Sequence, residues 1–406
     1  MSRQLIVTAL ICALLFAHPA IAQDASPDPY QATVGILLDH ELPPGPLPQV
    51  LTDGFSFSNE GDTFLQSEAT KPDNATTKRT VYNETDFHGH LNWSDWLTLN
   101  AATKFEHERF NNVNDFYPDR SSFLRSEGLT LRQFYFTVRP DGDDQVAFYG
   151  GKIHPAFGTG WSFAYPGIFY PFATDYEQDQ MIGFGADAKI PRTAVINWLG
   201  TAHLSAETFF LDTTSLSYSL FAHPSANDMF VTPPGMFHYS DGGAGNTNGL
   251  SSVTASLRGN DLFNAKGLAY HFSFTHEGVH LPGEQAQTGL TAAGNYSFDL
   301  GDGLSTSPYG EYAWIENFNG QAGLTRHYVT YGLAAKKGKW ELDLSGGLRA
   351  SYNHPSATNI WDTQESLSLL YAVMDKFVVG GGYNHIDINN VGNNTVGLIA
   401  QYQFSL

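Results

Sequence analysis

Ionisable side chains recur on the polar phase of alternating segments in this chain: Lys104, Glu106, Arg139, Lys152, Asp187, Arg326, Glu341, Asp343 and Arg349. Cations and anions set at alternate positions of strands can face one another across an enclosed space, where mixed signs create a transverse field that orients polar solutes. The blander alternative is that they solvate a wall and pair with one another. A second group is aromatic. Between Pro155 and Glu177 lie Trp161, Phe163, Tyr165, Phe169, Tyr170, Phe172 and Tyr176, and the only charges there are Asp175 and Glu177. Rings at that density can stack on a neutral or sugar-like solute, or merely pack the segment against its surroundings. A third candidate is His238-Tyr-Ser-Asp-Gly242, where His238 could activate Ser240 for acyl transfer, although no residue is placed to orient the imidazole. His88 and His90 share a face and could hold a metal, but a third ligand is lacking, so no metal or cofactor is expected.

The elements that carry these residues are read most directly from Thr325 to Asn353. Trp340, Leu342, Leu344, Gly346, Leu348, Ala350 and Tyr352 alternate with Glu341, Asp343, Ser345, Gly347, Arg349, Ser351 and Asn353. A period of two is a strand, because successive side chains point to opposite faces. The preceding segment repeats the pattern up to a tight turn at Lys336 to Lys339, so the two strands pair antiparallel. A charged face excludes a packed sandwich core, while an apolar face ending in Trp340 and Tyr352 has the ring-tipped form of a membrane belt. The combination predicts an all-β, transmembrane antiparallel barrel with lipid outside and water within.

Composition agrees with that class. The 406 residues include 40 Gly, 14% aromatics and only 15% charged residues, with a mean hydropathy of -0.25. Residues 1–22 read as a signal peptide, with Arg3 as the charge, Leu5 to Ala17 as the apolar core and an A-x-A site at Ala20 to Ala22. The single cysteine, Cys12, lies within it. Gln23 to Thr52 is a Pro-rich segment, and Asp53 to Leu406 is the expected barrel. A formal net charge of -20 makes nucleic acid an improbable partner. The partners implied by a membrane barrel are outer-membrane lipid and lipopolysaccharide, small hydrophilic solutes and, if barrels associate, a homotrimer.

Fifteen alternating segments can be followed from Val81 to the last residue. The short connections near Ser94, Gly142, Asp261, Gly301, Gly338 and Asp375 alternate with longer ones such as Asn111 to Glu127, Pro155 to Glu177 and Thr213 to Asn248. Because the turn at Ser94 is of the short, periplasmic type, the strand before it descends and an ascending one must precede it. Asp53 to Leu65 is the candidate, which gives about 16 strands. Fourteen is the alternative if the N-terminal pair forms a plug. The closing face of Val396, Leu398, Ala400, Tyr402, Phe404 and Leu406 is similar to the C-terminal signal of outer-membrane barrels, with Leu in place of the usual terminal aromatic.

The run Gly150-Gly-Lys-Ile-His-Pro-Ala-Phe-Gly158, following Arg132-Gln-Phe-Tyr-Phe-Thr-Val-Arg139, resembles Gram-negative outer-membrane porins of the phosphate-selective type. That resemblance implies a diffusion channel whose third outer loop, here Pro155 to Glu177, folds inward as a constriction with Lys152 at its base. It does not bring a phosphate preference, since a cluster of loop lysines is absent. The rival comes from another class: His238 and Ser240 resemble the His-x-Ser core of outer-membrane lipid A deacylases and phospholipases, which would make the barrel an esterase.

Overall fold

A computed structural model of the chain describes residues 56–72, 77–107, 122–123, 127–140, 145–162, 171–191, 193, 196–217, 237–353 and 358–405. The expected signal peptide and Pro-rich segment lie outside the described residues, as do Tyr165, Tyr170 and the side chain of Glu106. Among the described residues are eighteen strands. Ser122–Phe123 is a two-residue bridge and Phe298–Gly301 prolongs the strand before it, which leaves sixteen that build the wall. They are β1 (Ser56–Pro72), β2 (Lys78–Ser94), β3 (Leu97–His107), β4 (Glu127–Val138), β5 (Val146–Ile153), β6 (Met181–Ile190), β7 (Thr201–Leu211) and β8 (Ser252–Asn260). The second half comprises β9 (Leu268–Glu277), β10 (Gln287–Tyr296), β11 (Leu304–Glu316), β12 (Leu324–Lys337), β13 (Trp340–Asn353), β14 (Thr358–Met374), β15 (Phe377–Ile388) and β16 (Val391–Ser405).

Each strand pairs antiparallel with its neighbours in sequence, and the sheet closes on itself. β1 pairs with β2 on one side and with β16 on the other, from Glu60 opposite Ser405 to Pro72 opposite Asn393. The first strand therefore exists, and it runs seven residues beyond the expected end at Leu65. This is the sixteen-stranded solution rather than the fourteen-stranded alternative. Closure removes both sheet edges, so no row of backbone N–H and C=O groups is left to face hydrocarbon.

The two faces behave as the alternation predicts. On β13, Leu344 is 44% exposed and Leu342 also points outward, whereas Asp343 is 3% exposed and Ser345 and Arg349 are buried on the inner side. The outer face continues through Leu367 and Leu369 of β14 and Val396 and Leu398 of β16. Aromatic pairs bound it: Trp340 with Tyr371 at one level (ring centroids 4.8 Å apart), and Tyr352 with Trp361 at the other (6.1 Å). Trp340 and Tyr352 stand at opposite ends of one tilted strand, roughly 25–30 Å apart in height, which matches an apolar band between two interfacial girdles. Glu365 interrupts the band, exposed on the same phase as Leu367.

Turn chemistry sets the ends. Gly338, at φ +59°, closes the β12–β13 hairpin, and Asn389 and Asn390, both at positive φ, close β15–β16 in two residues. Gly338 lies at the end of the barrel that also holds the Asp95–Trp96 and Asp375–Lys376 turns and the described chain ends, whereas the Asn389–Asn390 turn lies at the opposite end. The phase assignment predicts opposite outcomes for a cation on either face. Leu344→Arg places a guanidinium in the lipid band and should cost about 2–4 kcal/mol, whereas His88→Arg on the inner face should leave stability nearly unchanged. Urea titration followed by heat-modifiable gel migration measures both, and equal losses would contradict the assigned faces.

Candidate functional site

After Ile153 the chain leaves the wall and does not go straight to β6. Residues 154–162 and 171–180 instead reach the far side of the ring. The Gly158 N–H donates to Ser273 Oγ on β9 at 3.0 Å. The N–H groups of Thr159 and Gly160 donate to the carboxylate of Glu311 on β11 at 2.6 and 2.8 Å. Phe157, Phe172, Ala173 and Tyr176 form one buried cluster with Ala313 and Ile315 of β11, Tyr328 of β12, and Ile386 and Ile388 of β15. β5 and β6 are neighbours in the wall, so contacts with β9 to β15 carry the segment across the interior. Burying those rings removes a large apolar surface from water, which is the driving force for the inward fold.

Two carboxylates tie the segment down. Glu311 accepts the two N–H groups, the Thr159 hydroxyl at 3.1 Å and the Tyr176 hydroxyl, so a fully buried anion is satisfied by four donors. The approach is close: Gly158 takes φ +72°, which favours glycine, and a Cβ on Gly160 would lie 2.4 Å from Glu311 Oε1, so a side chain there would displace the carboxylate from its donors. Burial and the adjacent Glu311 charge hold the Tyr176 hydroxyl well above its usual pKa, so it stays protonated and donates. The second tie is Asp175. Its Oδ2 accepts from Arg326 Nη1, Arg349 Nη1 and the Tyr328 hydroxyl, each at 2.9 Å. Arg349 also donates through Nε to Asp362 at 2.8 Å, and its guanidinium lies 4.7 Å from the Phe172 ring centre. Arg326 stacks on Phe318 at 3.8 Å. Two guanidinium groups thus meet two carboxylates, and the set is close to neutral.

The other sequence candidates are placed less uniformly. Arg326 and Arg349 lie on the inner phase and hold the segment. Lys104 faces inward and pairs with Glu84 at 2.7 Å. Arg139 is buried on the inner phase of the β4 end, where Nη1 donates to Thr98 Oγ1 at 3.3 Å. Glu341 lies 3.7 Å from Lys336. Asp343 is inward and enclosed, and neither carboxylate oxygen has a hydrogen-bond partner among the described residues. Asp187 binds His203 and Arg258, both at 2.8 Å. Trp161 packs against the buried cluster and stacks on His154 at 4.4 Å.

Lys152 corrects its expected place beside a narrowed passage. Gly151 takes φ +138°, and the register sets Lys152 across from Phe134 and Ile182, on the phase of the exposed Phe134 ring. Its ammonium is buried against Asp212 at 3.0 Å, Gln180 at 3.1 Å and the Leu216 carbonyl at 2.8 Å. It fastens the connection after β7 and faces no lumen. The esterase pairing is absent too. Among the described residues no hydrogen bond joins the His238 ring to Ser240, and Asp241 caps the turn by accepting the His238 N–H at 2.8 Å. His90 bonds Asn100 at 2.8 Å. Sequence reasoning missed Glu311 as an anchor. The available signal was a lone acid on a face otherwise made of Tyr309, Ala313 and Ile315. His154, Glu177 and Asp179 also converge, but Arg132 is ion-paired with Asp179 and lies 3.9 Å from Glu177, which makes the group a salt-bridge network.

Known structures with this architecture include the outer membrane channel DcaP of Acinetobacter baumannii, with a TM-score of 0.53, 13% identity, and coverage of 87% of this chain and 99% of that one. The fold is that of an outer-membrane porin. An anion-selective porin from Comamonas acidovorans matches with a TM-score of 0.54 and 9% identity over 86% of this chain and 100% of that one. OmpF of Salmonella typhi, in complex with daunomycin, matches at 0.53 and 11% over 87% and 99%. No protein-family model and no curated protein matches the sequence. The porin fold is a multi-pass barrel, in keeping with the belt and girdles, and at these identities the likeness is one of architecture.

Two predictions follow from the buried groups around the inward segment. Burial lowers the His154 pKa from 6.5 to about 4, with Arg132 adding to the effect and Asp179 opposing it. The folded chain therefore refuses a proton that the unfolded chain accepts. Stability conferred by the neutral ring is present above pH 6.5 and is lost as pH falls toward 4, by up to about 3 kcal/mol. His154→Gln should flatten the urea-unfolding profile across that window. Lys152→Met strips Asp212 of its cation and should cost about 3–5 kcal/mol with no change in the ion selectivity of folded protein reconstituted in bilayers.

Proposed function

We propose that the chain is a porin in function as well as fold: a water-filled channel of the outer membrane through which small hydrophilic solutes diffuse passively, narrowed by the segment from Pro155 to Glu177. The observation that carries this reading is the pinning of that segment to the far wall by Glu311 and Asp175. A loop held across a closed polar-lined ring restricts its cross-section without sealing it by hydrophobic packing from every side. Lys104, with Glu84, His88 and His90, supplies the polar wall on β2 and β3, away from the anchors. Transport, and not catalysis, is the function of these groups. Lipopolysaccharide around the outer rim and a homotrimeric assembly are part of the same proposal.

The charge balance at the anchor sets the expected selectivity. Arg326 and Arg349 are offset by Asp175 and Asp362, so the constriction should discriminate weakly between ions. No solute is favoured by a lysine cluster. Deleting Trp161 to Phe172 should raise single-channel conductance in planar bilayers. Asp175→Asn should shift selectivity toward anions, because it leaves Arg326 and Arg349 facing one fewer carboxylate. The shift should shrink at 1 M salt, where the Debye length is about 3 Å. A deletion variant that folds normally and conducts like the parent would remove the constriction assignment, and a barrel with no conductance at all would remove the channel.

A further inference from the structure

Among the described residues, a groove on the outer face lies next to two exposed lysines. It is lined by Trp340 of β13, Leu369 and Tyr371 of β14, and Val379 and Gly380 of β15, and has a volume of about 390 Å³. The Trp340 and Tyr371 rings meet at 4.8 Å and mark the lower girdle. Immediately below is the β12–β13 turn, where Lys337 and Lys339 are both exposed. The Lys339 carbonyl accepts the Ala372 N–H at 2.8 Å, which holds this turn against the end of β14 and directly under the groove. Lys339 Nζ donates to the Val373 carbonyl at 3.2 Å and lies 5.8 Å from the Tyr371 ring centre. Neither lysine is ion-paired among the described residues. Lys336, on the inner phase, is already paired with Glu341.

The charge is out of character for this end of the molecule. Among the described residues the other short connections at this end carry Asp95, Asp261, Asp299, Asp302 and Asp375 against Lys266 and Lys376, with Arg139 buried. Among the described residues Lys337 and Lys339 therefore give a local excess of positive charge at an otherwise acidic end, beside a neighbouring Asp375–Lys376 turn whose charges balance, and that excess adjoins the apolar groove. We infer that the groove is a binding site for an anionic glycerophospholipid of the periplasmic-side leaflet, with its phosphate on Lys337 and Lys339 and one acyl chain along Trp340, Leu369, Tyr371 and Val379. The argument is one of complementarity. Amphipathic rings settle at headgroup depth, lysines just beyond them attract anionic headgroups, and the groove accepts the methylenes. The end opposite the long connections is the periplasmic one, so the ligand comes from the leaflet on that side and not from lipopolysaccharide. The inference requires that the barrel span a membrane but not that it conduct.

Native mass spectrometry of the detergent-purified barrel tests it, using dioleoylphosphatidylglycerol and dioleoylphosphatidylcholine as probes, with heat-modifiable migration certifying each variant as folded. The wild type should bind phosphatidylglycerol more tightly than phosphatidylcholine, by about fivefold per contributing lysine. K337Q/K339Q should bring the two lipids to equal affinity, Leu369→Trp should fill the groove and weaken both, and K266Q on another turn should change neither. Equal affinities in the wild type, an undiminished preference in the double variant, or an equal loss in K266Q would overturn the site. A dimer or trimer that needs Lys337 and Lys339 and excludes the lipid would overturn it as well, by giving the groove to a second copy. Conductance plays no part in the readout, so a non-conducting barrel would refute the channel and leave this site standing.

Discussion

The pairing of β1 with β16 is the constraint on which everything else depends. In hydrocarbon an unpaired backbone amide has no water to turn to, so a sheet survives there only if it has no edge. Thirteen successive residue pairs, from Glu60 opposite Ser405 to Pro72 opposite Asn393, close the ring. Closure also fixes what each side chain means. Once the ring exists, the period of two divides every strand into a lipid phase and an inner phase, and the same alternation that exposes Leu342, Leu344 and Trp340 encloses Asp343 and Arg349.

The interior is organised by charge that has been taken up locally. Glu311 is consumed by the backbone of Thr159 and Gly160, and Asp175 by Arg326, Arg349 and Tyr328. A buried carboxylate without donors would be costly, and a buried carboxylate with four is an anchor whose loss leaves several donors unsatisfied at once. Aromatic packing of Phe157, Phe172 and Tyr176 brings the segment to the far wall. The carboxylates fix its register there, since hydrogen bonds have direction and apolar contacts have none.

The wall was legible in the sequence because alternation is local. Each strand declares its faces within a few residues, and parity of the turns was enough to require β1 even where Phe55, Phe57 and Phe64 alternate weakly. The inward course of the Pro155 segment was also legible, from too many rings and too few charges for an exposed loop. Lys152 was not. A single positive-φ residue, Gly151, precedes it, and its partner Asp212 is sixty residues away, so nothing near it in sequence distinguishes a lumen cation from a buried clamp. Glu311 was hidden for the same reason: its ligands are backbone amides more than a hundred residues earlier. Side-chain phase can be read from neighbours, but the identity of a partner across the ring cannot.

The order of those partners along the chain has a consequence for assembly. Thr159, Gly160 and Asp175 are synthesised well before Glu311, Arg326 and Arg349, and the anchors reach their places only when β11 to β13 have joined the sheet and the ring has curved far enough to bring the two walls opposite each other. Loop seating therefore has to follow wall formation and cannot guide it. A barrel caught between the two stages would have its wall complete while the Thr159 and Gly160 N–H groups and the Asp175 carboxylate still lacked their partners, so these bonds are the mark of a completed molecule.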